Sequence, residues 1–418
     1  MTSLTARLDR ALPSSSLDER SVEPLFAVAD ATQRELGGAL RSTPYGPCRV
    51  ITTRYPLTHT HGDRALGTYA SQPLAHLPQL TGDPRLKDRV ARDALFLDIE
   101  ATGLDHGAGT FAFLIGVGLF EGDSFILHQL FLDDPSQERA MLHVLIELLD
   151  SRPMLITFNG KSYDLTVLGS RLVMQRLWTE RECDLKLRPH LDLLHLTRSL
   201  ERERLPNTRL GTLEREILDF HRVDDVPGHL VPACYHHFLR TGETSAVEGV
   251  IEHNLHDVLS MVTLADHVVG RSRPDPRIYR EPEERDGLAR LLLRRRAPAS
   301  GLAVLANFIQ ETEAPSWATE TAEALATAAV AARRALLPER SRYAWERLLE
   351  RDPLHEEALR GLIRLESRGA RDLPRALGLA RRLEAVAPSP AATRRVQRLK
   401  RRVARSSGRL PKTDLCMV

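Results

Sequence analysis

ALFLDIEATGL, residues 94–104, decides the fold. Its first seven residues are a short run of aliphatic and β-branched side chains, the composition of a buried strand. Side chains two apart on a strand share a face. Asp98 and Glu100 therefore project together, while Leu97 and Ile99 face the other layer. Two carboxylates side by side at the end of a buried strand repel and raise each other's pKa unless a cation lies between them. Hard ions such as Mg²⁺ or Mn²⁺ prefer such oxygen ligands. An acid-x-acid pair alone is common, and most instances are surface acids.

Outward from this strand, FAFLIGVGLF and SFILHQLFL read as two more, joined by a Glu121-Gly122-Asp123 turn. Asp134-Pro135 then opens a helix, with Asp134 as cap, Pro135 in the first turn and Gln137 at the capping-box position. Leu142, Leu145 and Leu149 give that helix an apolar stripe. PMLITF is a fourth strand, NGKS a turn, and 163–175 a second helix, with helical segments dominating from about 191 to 270. Three strands able to meander, followed by a helical crossover to a further strand, is the plan of an α/β, ribonuclease-H-like mixed sheet flanked by helices. Upstream, 50–55 is strand-like, and His59 and His61 read as loop residues, with no acid or cysteine at ligand spacing.

Two further stretches carry chemistry-bearing residues. TFNGKSYDLTVL runs from a strand end through Asn159-Gly160 into a helix whose first turn holds Asp164, a place where the helix dipole favours an acid by about 0.3–1 kcal/mol without any catalysis. VIEHNLHDVLSMVTLADHV has an apolar stripe of Val250, Val258, Val262 and Ala265, so it is a helix, and His253 and Asp257 lie one turn apart on a common face.

Acid-x-acid, then Asn-x3-Tyr-Asp, then a late-helix Asp resemble the three motifs of the DEDD superfamily of 3′-5′ exonucleases. With HQLFLDDPSQERAML, HLDLLHLTRSL, LGTLEREIL and DDVPGHLVPACYHHFL, residues 45–270 resemble the YprB-type ribonuclease-H-like family. The resemblance implies Asp98, Glu100, Asp164 and Asp257 as ligands of two Mg²⁺ or Mn²⁺ ions, which in such sites lie ~3.5–4 Å apart. It implies Thr102, Gly103, Asn159, Tyr163 and Asn254 as substrate contacts, Asn254 alternatively orienting a ligand. It also implies His253 as the residue that orients or deprotonates water. His253 stands at the H-x3-D spacing where tyrosine is usual, the histidine type being H-x4-D, so the base stays open, with His256 a poorer choice. Asp192 reads as structural. The implied function is a metal-dependent nuclease on DNA or RNA, a 3′-5′ exonuclease. A structure-selective endonuclease of this fold, or a non-catalytic adaptor, are the competing readings.

The whole chain has 418 residues, 42% hydrophobic and 27% charged, as in ordinary globular proteins. It has no apolar run of membrane-spanning length and no signal-peptide pattern, and its four scattered cysteines (Cys48, Cys183, Cys234, Cys416) read as reduced thiols; a cytoplasmic location is expected. The net charge of +2 hides an asymmetry: residues 271–418 hold 31 basic and 19 acidic residues, which leaves 27 and 37 for residues 1–270. An acidic body with a basic tail suits an enzyme that holds a polyanion. Arg394, Arg395, Arg398, Lys400, Arg401, Arg402 and Arg405 crowd one stretch and are the expected nucleic-acid contacts of that tail. The expected organisation is an arm over 1–45, the nuclease domain over 46–270, a linker with helices over 271–335, a tetratricopeptide-like region over 336–405, and a tail over 406–418. The repeat reading rests on ERLLERDP (346–353) and RRLEAVAP (381–388), near the 34-residue period, and such helices could take a protein partner.

Overall fold

The computed structural model describes residues 36–103, 109–177, 185–201, 204–273, 287–292, 322–334, 336–368 and 372–406. The expected linker motifs at 274–284, the first 35 residues of the expected arm and positions 407–418 of the tail lie outside them, as do Cys183 and Cys416. The chain divides into two compact units, Met1–Arg198 with Leu205–Arg273, and Ser199–Arg204 with Pro274–Val418.

The first unit is built on a seven-stranded sheet: β1 (Ala39–Thr43), β2 (Gly46–Pro56), β3 (Ala94–Ala101), β4 (Ala112–Glu121), β5 (Ser124–Phe131), β6 (Met154–Thr157) and β7 (His190–Asp192). Their spatial order is β1-β2-β5-β4-β3-β6-β7. β3, β4 and β5 form the antiparallel meander, and β6 and β7 join β3 in parallel. That is the ribonuclease-H-like mixed sheet, extended at the β5 edge by the β1–β2 hairpin. Two elements differ from expectation. Residues 39–43, placed in the arm, are an edge strand; its side chains are almost all exposed, so the sequence shows no apolar alternation there. A strand of three residues, β7, precedes the helices after residue 191, too short for any period to register.

Two short helices, Leu66–Ala70 and Leu77–Thr81, precede β3; the helices that follow β5, up to residue 271, are α1 (Glu138–Asp150), α2 (Asp164–Met174), α3 (Leu193–Glu201), α4 (Leu210–Ile217), α5 (Val231–Thr241) and α6 (Ser245–Arg271). Asp134 caps a 3₁₀ turn over Pro135–Gln137 by accepting from the Ser136 N–H, and α1 follows directly. Gln137 is the residue before α1 and makes no side-chain cap, so the expected capping box is absent there. Leu142, Leu145 and Leu149 are buried against the sheet as their stripe requires.

The parity of β3 positions the site. Leu95, Leu97 and Ile99 enter the core shared with α1, α2 and α5. Phe96, Asp98 and Glu100 face the opposite way. Phe96 packs edge-on to Tyr69 and Phe125, and α6 lies over the two acids above it. Close approach of α6 is possible because Gly116 on β4 stands opposite Asp98: a Cβ there would come within 2.4 Å of Asn254 Oδ1.

The second unit is helical: α7 (Ala322–Arg334), α8 (Pro338–Arg351), α9 (Glu356–Ser367), α10 (Leu373–Val386) and α11 (Pro390–Ser406). α10 begins 35 residues after α8, and α11 begins 34 after α9. Consecutive helices pack on one another, with Trp345 of α8 seated over Gly361 of α9. Cys48 and Cys234 are buried free thiols, each pushed up to about 12 by burial. Among the described residues no helix is long and apolar enough to cross a membrane.

Candidate active site

Glu100 from β3 and His253 and Asp257 from α6 bring one ligand atom each to within 4.8 Å of one another. Among the described residues no other group of three His, Cys, Asp or Glu side chains does so. The shared face of His253 and Asp257 is what the one-turn spacing dictates, with His253 Nε2 3.4 Å from Asp257 Oδ2 and 4.0 Å from Glu100 Oε1.

Asp98 is fixed separately. Asn254 Nδ2 donates to Asp98 Oδ2 at 2.9 Å, and Gln129 Nε2 donates to Asn254 Oδ1 at 3.0 Å and to the Ile251 carbonyl at 2.7 Å. Asn254 is wholly buried, so its amide meets the Asp98 carboxylate from within the protein. Asp164 begins α2, buried, close enough to Asp98 and Asp257 for their charges to interact.

The four acids make a costly cluster. Burial pushes Asp98 and Glu100 well above the carboxylate range, and the negative charges of Asp257 and Asp164, with Glu100 acting on Asp98, push in the same direction. Burial lifts Asp164 to about 7, with the charges of Asp192 and Asp257 adding and backbone N–H bonds from its own residue and Ile99 opposing. A divalent cation reverses this penalty. The carboxylate oxygens of the cluster suit a hard divalent cation.

His253 is held by Asp225, whose Oδ1 lies 2.7 Å from Nδ1. Arg222 Nη1 also lies 3.1 Å from Nδ1. The Asp225 carboxylate is the closer of the two and can only accept, so the Nδ1–H tautomer is the one that satisfies that bond, and it leaves Nε2, the nitrogen facing Asp257, without a proton in the neutral ring. Burial draws the His253 pKa down, but the Asp225 bond and the Asp257 charge outweigh it and the net shift is upward. His256 instead packs against Phe220 and His61, at ring separations of 5.1 and 5.9 Å, and its pKa is lowered by burial.

Several expected substrate contacts have bonding partners inside the protein. The Thr102 hydroxyl accepts from the Phe111 N–H at 3.2 Å, and the Tyr163 hydroxyl donates to the Gly103 carbonyl at 2.5 Å, tying the end of β3 to the start of α2. Asn159 adopts φ +67°, a left-handed conformation that Asn tolerates. Asp192 accepts from the N–H groups of Asn159, Lys161 and Leu194, so it clamps the 159–161 turn and starts α3. His61, read as a loop residue, is buried in a short hairpin, bonded to Ser260 at 2.8 Å and held neutral by burial with a pKa lowered to about 3. Residues the sequence reading passed over, Glu214, Arg222 and Asp225, stand beside the acids and line an open cleft of about 380 Å³ together with Asp98, His253 and Asp257.

The family model of the RNase_H superfamily matches residues 95–269, the segment from β3 to the end of α6. The chain is 28% identical over 272 residues to the uncharacterized protein YprB of Bacillus subtilis, covering 63% of each chain, so it spans about 63% of that relative's length. Among solved structures it is similar to the family B DNA polymerase of the archaeon Pyrobaculum calidifontis, at 15% identity, over 50% of this chain and 29% of that one. The TM-score of 0.36 is too low for that likeness to bear on the argument.

Proposed function

We propose, from the match of residues 95–269 to the RNase_H superfamily and the likeness to YprB, that the protein is a divalent-metal-dependent nuclease acting on DNA or RNA as a 3′-5′ exonuclease. The observation that carries the reading is the convergence of Glu100, His253 and Asp257, with Asp98 and Asp164 close enough for their charges to interact, beside a cleft that Asp98, His253 and Asp257 line. A domain without chemistry to perform gains nothing from holding so many repelling carboxylates together.

In this reading Asp98, Glu100, Asp164 and Asp257 hold the ions, which when bound polarise the phosphodiester and offset the charge that builds on it during hydrolysis. Asn254 keeps the Asp98 carboxylate aimed. His253 takes the proton from the attacking water at Nε2, with Asp225 fixing the ring and stabilising the imidazolium that forms.

The polyanion itself is met by α11. Its seventeen residues contain seven Lys and Arg and no acid, and none of the seven has an ion-pair partner among the described residues. At 100° per residue, six of the seven fall within one third of the helix circumference, outside the arc of the buried Ala392, Val396 and Leu399. Such a stripe suits phosphates in either DNA or RNA.

The test is incubation of the full chain with end-labelled single-stranded DNA, duplex DNA and RNA in Mn²⁺ or Mg²⁺, read as a ladder. A one-nucleotide ladder from the 3′ end is expected in the wild type, with Asp98→Asn at background while keeping its melting temperature in EDTA. Asp98→Asn is preferred over Asp257→Asn because an amide at 98 still accepts from Asn254, whereas one at 257 breaks an arginine pair. Internal cuts would replace exonuclease by endonuclease; full activity in Asp98→Asn would remove this site from the reaction.

A further inference from the structure

Arg222, in the segment after α4, reaches into the carboxylate cluster with its side chain only 11% exposed. Its Nε and Nη2 hold both oxygens of Glu214, at 2.9 and 2.5 Å. Nη2 also donates to Asp257 Oδ1, and Nη1 lies 3.4 Å from Asp225 Oδ2. The arginine is fastened from below: Glu214 accepts at 2.6 Å from Ser260 Oγ, which is itself bonded to the buried His61. A planar guanidinium can grip one carboxylate with two parallel bonds and still offer N–H groups to others, which a lysine cannot reproduce.

We propose that Arg222 is the resident counter-ion of this site: it holds Asp257 while the metal is absent and, by leaving a fixed positive charge beside the ligands, restrains how tightly a divalent cation binds. The inference rests on the metal reading of the site above. The two oxygens of Asp257 face different groups. Its Oδ1 belongs to Arg222, and its Oδ2 faces His253 Nε2 and the Glu100 side of the cluster. A charge of +1 at ion-pair distance from a ligand carboxylate opposes a divalent ion approaching that carboxylate, and in a partly buried site the opposition is weakly screened. The same contact gives the metal-free protein something better than a bare cluster of acids. A purely structural tie between α4 and α6 would predict otherwise: removing it would loosen Asp257 and weaken metal binding.

The experiment uses the full chain stripped with EDTA, Mn²⁺ as the probe, and calorimetric titration together with melting temperature. Arg222→Gln should melt lower than wild type in EDTA and bind Mn²⁺ about tenfold or more tightly. Arg222→Lys keeps the charge and loses the fork, so its Mn²⁺ affinity should stay within about threefold of wild type. Where Arg222→Gln is too unstable to titrate, its rise in melting temperature on adding Mn²⁺ should exceed that of the wild type. Unchanged or weaker Mn²⁺ binding in Arg222→Gln overturns the proposal. Absence of Mn²⁺ binding in the wild type overturns the metal reading itself, and the counter-ion role with it, a failure seen before any variant is made.

Discussion

Helices α6 and α11 carry charge in opposite ways. In α6, 16 of 27 residues are buried, and the polar side chains at 253, 254 and 257 reach toward the acids of β3. In α11 only three of 17 are buried, and five of its seven cations are exposed, Arg395 and Arg402 being half-buried. Burial makes the charges of α6 expensive, so they need a partner: Asp225 for His253, Arg222 for Asp257, a divalent ion for the rest. Exposure makes the charges of α11 cheap, strongly screened by salt, and usable along a whole phosphate backbone. A few buried groups suit chemistry, and many exposed ones suit grip. The acidic body and basic tail read from composition thus correspond to two different physical regimes.

The sharpest way to break that division is at α6. His253→Ala should lower the cleavage rate by ~10²–10⁴ while Mn²⁺ binding persists, because carboxylates remain to hold the ion. His253→Tyr should retain part of the activity, since a phenol of that reach can still orient water. An alanine variant as fast as wild type would show that the proton leaves by another route and that α6 contributes ligands alone.

The α6 chemistry was legible because it depends on periods. Residues two apart on β3 and four apart on α6 must share faces, and the order of the motifs along the chain supplied the rest. Glu214, Arg222 and Asp225 were not legible. Arg222 and Asp225 lie in FHRVDD, a stretch without periodicity, and their partners 257 and 253 are about thirty residues away, joined only by the way that segment folds back over α6. Thr102 and Gly103 follow the acids of β3 and Tyr163 precedes α2 in the sequence, but nothing in it shows that their hydrogen bonds close on the protein itself. Gln129, within an apolar strand, looks like an interruption until Asn254 is found against it. The edge strand β1 was missed for the opposite reason: its polar face is solvent, so no burial pattern marks it.

At α11 the expected effect is on binding and not on rate. Replacing Arg394, Arg398, Arg401 and Arg405 with alanine should lessen the slope of log K against log[salt] by up to about 2.8 on single strands, at ~0.7 per phosphate contact. Cleavage at saturating substrate should stay near wild type. If the slope is unchanged and a protein partner is lost instead, α11 serves assembly and the contrast with α6 takes another meaning.

The smallest effect tests whether the acids of the first unit are strained in the metal-free protein. Asp164 has its pKa raised from 3.8 to about 7 in the folded state, chiefly by burial. Between those values the unfolded chain releases the proton and the folded chain keeps it, so stability is greatest below pH 4 and declines as pH rises toward 7. The contribution is on the order of 1 kcal/mol per pH unit within that window. Asp164→Asn should therefore flatten the pH dependence of unfolding free energy in EDTA, measured by denaturant titration from pH 4 to 7. In saturating Mn²⁺ the wild type should show the reverse sign, gaining stability as pH rises, because the ion binds the ionised carboxylates and proton competition fades. α11 offers the control: it contains no Asp or Glu, so the four-alanine variant should leave the slope unaltered. A wild-type slope equal to that of Asp164→Asn would mean that Asp164 ionises as easily in the fold as outside it, and that the cluster does not strain the metal-free protein.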